Sequence, residues 1–172
     1  ISREGSLIDL GVDTGIVHGE FGYSYVTGDE VMTLIGGAAL PTFILAGLSI
    51  VIWLSVAVVL GVVMGLRSGG RFDNSMSVIT YVTYALPTFI LGFVLIWVFA
   101  VLLNLTPVSG MTDSRESYAF GSDLYWAYVA ANPITALVDL AAHLVLPVST
   151  LVIVSVAGDA RYVRASVIDS LS

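Results

Sequence analysis

The sequence predicts an all-α protein threaded through a membrane, and three observations predict it. First, residues 31–66, 74–106 and 140–158 contain no Asp, Glu, Lys or Arg, although each holds one interior proline (Pro41, Pro87 and Pro147). A helix needs about 20 apolar residues to cross a bilayer's hydrocarbon core, and it satisfies its backbone groups within the segment. Second, hydrophobic residues are 57% of the chain and charged ones 11%, against roughly 45–50% and about 25% in soluble domains. Third, all six basic residues are Arg, and four of them (Arg67, Arg71, Arg161, Arg164) come closely after the first and third apolar stretches.

Arginines at span ends mark the cytoplasmic side. Residues 66–74 and the C-terminal end therefore face the cytoplasm, while 1–30 and 106–139 lie outside with ten of the thirteen acids. The expected path is out-to-in, in-to-out, out-to-in. The net charge of −7 without a single Lys suits an exterior adapted to high salt, where screening removes repulsion between carboxylates.

Taken in order, 1–30 is an extracytoplasmic segment, rich in Gly and acids, with an aromatic knot at Phe21, Tyr23 and Tyr25. Residues 31–66 combine an interfacial piece, 31–37, with a membrane helix. Gly36-Gly37 and Pro41 are expected to separate the two, since Pro removes a helix hydrogen bond. Gly61 and Gly65, four apart, form a small-residue seam where a second helix packs closely. Residues 67–75 are a cytoplasmic loop. A second membrane helix covers 76–104, kinked at Pro87. Residues 105–142 form an extracytoplasmic loop carrying an interfacial helix from Asp123 to Ala131, whose aromatic residues anchor at headgroup level. A third membrane helix covers 143–162, kinked at Pro147, and 163–172 is a cytoplasmic helix. Asp139 and His143 share a helix face at the outer end, where capping and hydrogen bonding explain them better than a proton relay.

Several function classes drop out. The sequence shows no nucleophile with a base, no Gly-rich phosphate loop and no paired carboxylates at membrane depth. No cysteine and two distant histidines, His18 and His143, leave no metal cluster, and no resident cofactor is expected. Nothing suggests nucleic acid; lipid is the evident surrounding. An intramembrane hydrolase would need an acid pair or a Ser/His pair at the midplane. A non-transporting anchor or receptor subunit remains compatible with the span pattern.

Five segments, in their order, resemble a known family. They are Gly19-Glu20-Phe21-Gly22-Tyr23-Ser24-Tyr25-Val26-Thr27-Gly28, Leu86-Pro87-Thr88-Phe89-Ile90-Leu91-Gly92, Thr106-Pro107-Val108-Ser109-Gly110, His143-Leu144-Val145-Leu146-Pro147 and Ala160-Arg161-Tyr162-Val163-Arg164-Ala165-Ser166. Together they are similar to the inner-membrane permease subunits of binding-protein-dependent ABC importers, in the dipeptide/oligopeptide branch. The resemblance implies a polytopic helical bundle of the type I ABC importer kind and a share in a peptide pathway. It also implies three partners: a second homologous permease, cytoplasmic ATP-binding subunits and an extracytoplasmic solute-binding protein. Nickel or glutathione import by relatives is not separated from peptide import. Arg161 and Arg164 would flank the family's coupling loop, which lies beyond Ser172, just as its first membrane helix precedes Ile1. On this reading the chain is a piece of a longer permease.

Overall fold

A computed structural model of the chain describes residues 21–112 and 118–171. The expectations for 1–20, 113–117 and Ser172 lie outside the described residues. The chain divides into two units, one ending at Phe43 and the other starting at Ile44.

In the first unit, Tyr23 and Glu30 form an isolated antiparallel bridge. The Ser24 amide donates to the Asp29 carbonyl at 2.8 Å, and the Gly28 amide to the Ser24 carbonyl at 2.9 Å. Gly28 takes φ 79°, a left-handed conformation that glycine adopts without a Cβ clash. The turn leads directly into α1, Val31–Leu66. This corrects the expected division at Gly36-Gly37 and Pro41: the helix begins at Val31 and contains all three residues. In an apolar surrounding an open backbone group is costlier than a glycine, and Pro41 forfeits a single helix hydrogen bond, the one its N–H would make to the Gly37 carbonyl. Thr42 Oγ1 also donates to the Ala38 carbonyl at 2.7 Å, within the same turns.

The second unit contains the rest of α1 and four further helices: α2 Arg71–Ala85, α3 Thr88–Leu95, α4 Asp123–Ala131 and α5 Pro133–Leu171. α3 continues as a π-helical segment, Ile96–Leu102, which ends with the Leu103 amide on the Val98 carbonyl at 3.0 Å. The expected second span is thus no single helix. α2 starts five residues earlier than expected, and its axis meets that of 88–102 at a bend of 97°. The residue before a proline is pushed out of the α region. Leu86 accordingly sits at φ −76°, ψ 129°, and Pro87 caps α3 with φ −58°.

The third span differs the other way. The sequence predicts loop, membrane helix and cytoplasmic helix as separate pieces between 133 and 171, yet α5 is one 39-residue helix with Pro147 inside. Pro133 stands at its first position, where the missing N–H costs nothing. At 1.5 Å per residue α5 is about 58 Å long, and its charge-free part, 140–158, about 28 Å. The latter matches a hydrocarbon core of about 30 Å. α4 occupies the residues read as a helix from the sequence, with Ser122 Oγ accepting from the Tyr125 amide as N-cap. Around it Tyr118 stacks on Tyr128 at 4.9 Å and Phe120 tilts against Tyr125 at 4.8 Å.

Inside the second unit α1 and α5 meet along a seam of small residues. Ala57, Val156 and Ala160 are buried together, flanked by Trp53, Leu60 and Val152. α1 and α5 qualify as membrane-length apolar helices, and the bent pair makes a third if taken as one span.

Candidate functional site

At the arginine-rich end of the bundle, a short turn joins α1 to α2. The Gly70 amide donates to the Arg67 carbonyl at 2.9 Å, and Gly69 holds φ 76°. That geometry turns the Gly69 N–H onto Asp73 Oδ2 at 2.9 Å. Asp73 stands in the first turn of α2, where a negative charge also meets the favourable end of the helix dipole. From α5, Arg164 reaches across with both arms of its guanidinium. Nε donates to Asp73 Oδ1 and Nη2 to Oδ2 at 2.7 Å. The Asp73 side chain is fully buried, whereas Arg164 keeps 29% of its own exposed. A planar fork matched to a carboxylate is the strong form of ion pair. Arg164 and, less, the Gly69 amide overcome the upward push of burial and hold the Asp73 carboxyl down at about 2, below its ordinary 3.8.

One turn back along α5, the Arg161 guanidinium lies 4.4 Å from the Tyr84 ring centroid and 4.9 Å from that of Tyr81. Its Nε donates to the Ala157 carbonyl at 3.0 Å. A cation over aromatic faces gains from the ring quadrupole. Beside it the Tyr84 ring comes within 3.3 Å of where a Cβ on Gly158 would stand.

α1 closes the same end. A Cβ at Gly61 would lie 2.6 Å from the Ala160 carbonyl oxygen and 2.6 Å from Val163 Cβ, and one at Gly65 2.7 Å from Val167 Cβ. Only residues without a side chain allow the two backbones so near. Asp159 points to α1, accepting a hydrogen bond from Trp53 Nε1 at 3.0 Å.

Towards the other end of α5 lies a cavity of about 610 Å³ between α1, α3, the 107–110 turn and α5. Its walls are mostly apolar, with Thr88, Ser109, His143 and Thr150 as polar members. The His143 ring, nearly buried, donates from Nδ1 to the Asp139 carbonyl at 2.8 Å and lies 3.4 Å from the Asp139 carboxylate. Among the described residues no group of three or more His, Cys, Asp or Glu could hold a metal ion.

The residues singled out from sequence thus fall at different places. Arg161, Arg164, Gly61 and Gly65 converge at the arginine end. Pro87 stands at the bend and Pro147 lines the cavity, while Pro41 belongs to the first unit. Sequence reasoning misses Asp73. Its only signal, an acid two residues after Arg71 and just ahead of the next apolar run, does not announce a partner 91 residues away. Tyr81 and Tyr84 escape for the same reason.

An all-α chain with membrane-length helices, packed through glycines and a buried ion pair, is a polytopic membrane component. It belongs to the family of binding-protein-dependent transport system inner membrane components, which matches residues 57–172. The chain is 31% identical to the probable peptide ABC transporter permease protein y4tP of Sinorhizobium fredii, over 91% of this chain and 44% of that one. It is 26% identical to the dipeptide transport system permease protein DppB of Escherichia coli, over 91% of this chain and 48% of that one. It is also 38% identical to the metal-staphylopine import system permease protein CntB of Staphylococcus aureus, over 57% of this chain and 31% of that one. The chain therefore spans less than half the length of these relatives.

Proposed function

We propose that the chain forms part of the translocation pathway of an ATP-driven importer of dipeptides or oligopeptides. A separate ATPase subunit would hydrolyse the nucleotide, a second homologous permease would complete the pathway, and a solute-binding protein would deliver cargo from outside. The observation that carries this reading is the similarity to peptide permeases over 91% of the chain. The cavity beside the Pro87 bend supports it, because its size falls within the usual range for small-molecule sites. In the same reading the arginine end is cytoplasmic, and Arg161 and Arg164 orient the end of α5 towards the ATPase. The similarity to CntB favours a second reading in which the cargo is another small solute, such as a metal chelate.

The test is uptake by the full-length permease reconstituted with its partner subunits and binding protein in liposomes. ATP-dependent accumulation of labelled dipeptides supports the first reading, and accumulation of a metal chelate but not of peptides supports the second. A complex that moves neither under ATP is an anchor or receptor, and both readings fall.

A further inference from the structure

We propose that α2 and the arginine-bearing end of α5 are clasped into one mechanical body by Asp73, Arg164 and Arg161. A push on the end of α5 then reaches the Pro87 bend through α2 as well as through α5. This rests on the permease reading only in taking the push to come from a nucleotide-driven partner.

Three observations carry it. The contacts between the helices occur at two heights: the Asp73–Arg164 fork at the start of α2, and Arg161 against Tyr81 and Tyr84 near its end. Residues 73 and 81–84 lie about 12–16 Å apart along α2, and Arg161 and Arg164 about 4.5 Å apart along α5. One contact would leave a pivot, whereas two so separated oppose both sliding and rotation. Next, the Asp73 carboxylate is buried and held by a backbone amide besides its arginine. Parting the helices would leave that charge without its partner, a strongly unfavourable state. Finally, the junction between α2 and α3 is weak. Leu86 is extended, Pro87 supplies no N–H, and the chain turns by 97° there. A stiff segment ending in a soft joint concentrates motion at the joint, as hinge closures do.

The experiment uses the full-length permease assembled with its partner subunits in lipid nanodiscs. Spin labels are placed by Val78→Cys and Tyr162→Cys, both strongly exposed positions on α2 and α5. The clasp gives one narrow distance that is the same without nucleotide and with ATP trapped. Asp73→Asn broadens it, and in the assembled complex lowers solute moved per ATP hydrolysed by roughly 2- to 30-fold, the span of a coupling change of about 0.5–2 kcal/mol. Arg161→Gln leaves the ion pair intact and acts in the same direction, which keeps the test available if the Asp73 variant fails to assemble. Exchanging the pair, Asp73→Arg with Arg164→Asp, recovers part of the loss. A Val78–Tyr162 distance that shifts with nucleotide in the otherwise unaltered complex overturns the clasp, as does unchanged transport per ATP in Arg161→Gln. Absence of any ATP-driven uptake overturns the permease reading instead, and the distance still decides the clasp.

Discussion

Asp73 is the residue on which the arginine end depends. Three donors from a turn and a neighbouring helix meet one buried carboxylate, so its ionised form is built into the fold. Because its folded pKa lies below its ordinary value, its contribution is complete above pH 3.8 and is lost as pH falls through about 2. Asp73→Asn should cost about 2 kcal/mol at neutral pH, the scale of hydrogen bonds to a charged group. In detergent-solubilised protein, the gap in unfolding midpoint between the two forms should close over that acidic range; a constant gap would show that the ionised carboxylate contributes nothing. Ser49 is the opposite case. Its hydroxyl is fully buried in α1 and has no hydrogen-bond partner among the described residues. Ser49→Ala should leave stability within about 1 kcal/mol of the original or raise it, and a larger loss would reveal a partner for the hydroxyl. Neither residue was legible in the sequence. Charge-free runs show where lipid lies, but not which of the remaining acids finds an arginine.

At the scale of elements, three prolines in charge-free runs behave in two ways. Pro41 and Pro147 sit inside helices, whereas the chain breaks at Pro87. Sequence periodicity does not separate these cases, because the difference lies in whether the preceding residue stays helical. Leu86 does not, and after it a second helix starts on a new axis. Pro87→Ala removes the steric reason, so α2 and α3 should approach one continuous helix. Spin labels at exposed Val78 and Phe93 should then separate by roughly 7 Å, from the rise per residue and the present bend. An unchanged distance would assign the bend to packing against α5. Where the sequence was informative, it was through chemistry that allows few arrangements, such as glycines four apart where a second helix comes close. The joined α5 was unreadable because its polar ends resemble loop while its backbone gains by continuing the helix.

Over the whole chain, the alternation of apolar runs with arginine-bearing links made the all-α membrane class legible, and the family match agrees with it. Sidedness is inferred from the same arginines and is directly testable, because the sequence lacks cysteine. Single replacements Ser68→Cys and Ser166→Cys should react with an impermeant thiol reagent only from the cytoplasmic face, and Val108→Cys only from outside. The reverse pattern would invert the topology. One consequence of α5 concerns the lipid itself. Its charge-free part is bracketed by Asp139 and Asp159, about 30 Å apart along the axis. A thinner bilayer must therefore be met by tilting this helix and a thicker one by local compression, at fractions of a kcal/mol per Å. Uptake in liposomes of graded acyl-chain length should peak at one thickness; a flat response would mean that neighbouring subunits, not lipid, set the angle at which this helix stands.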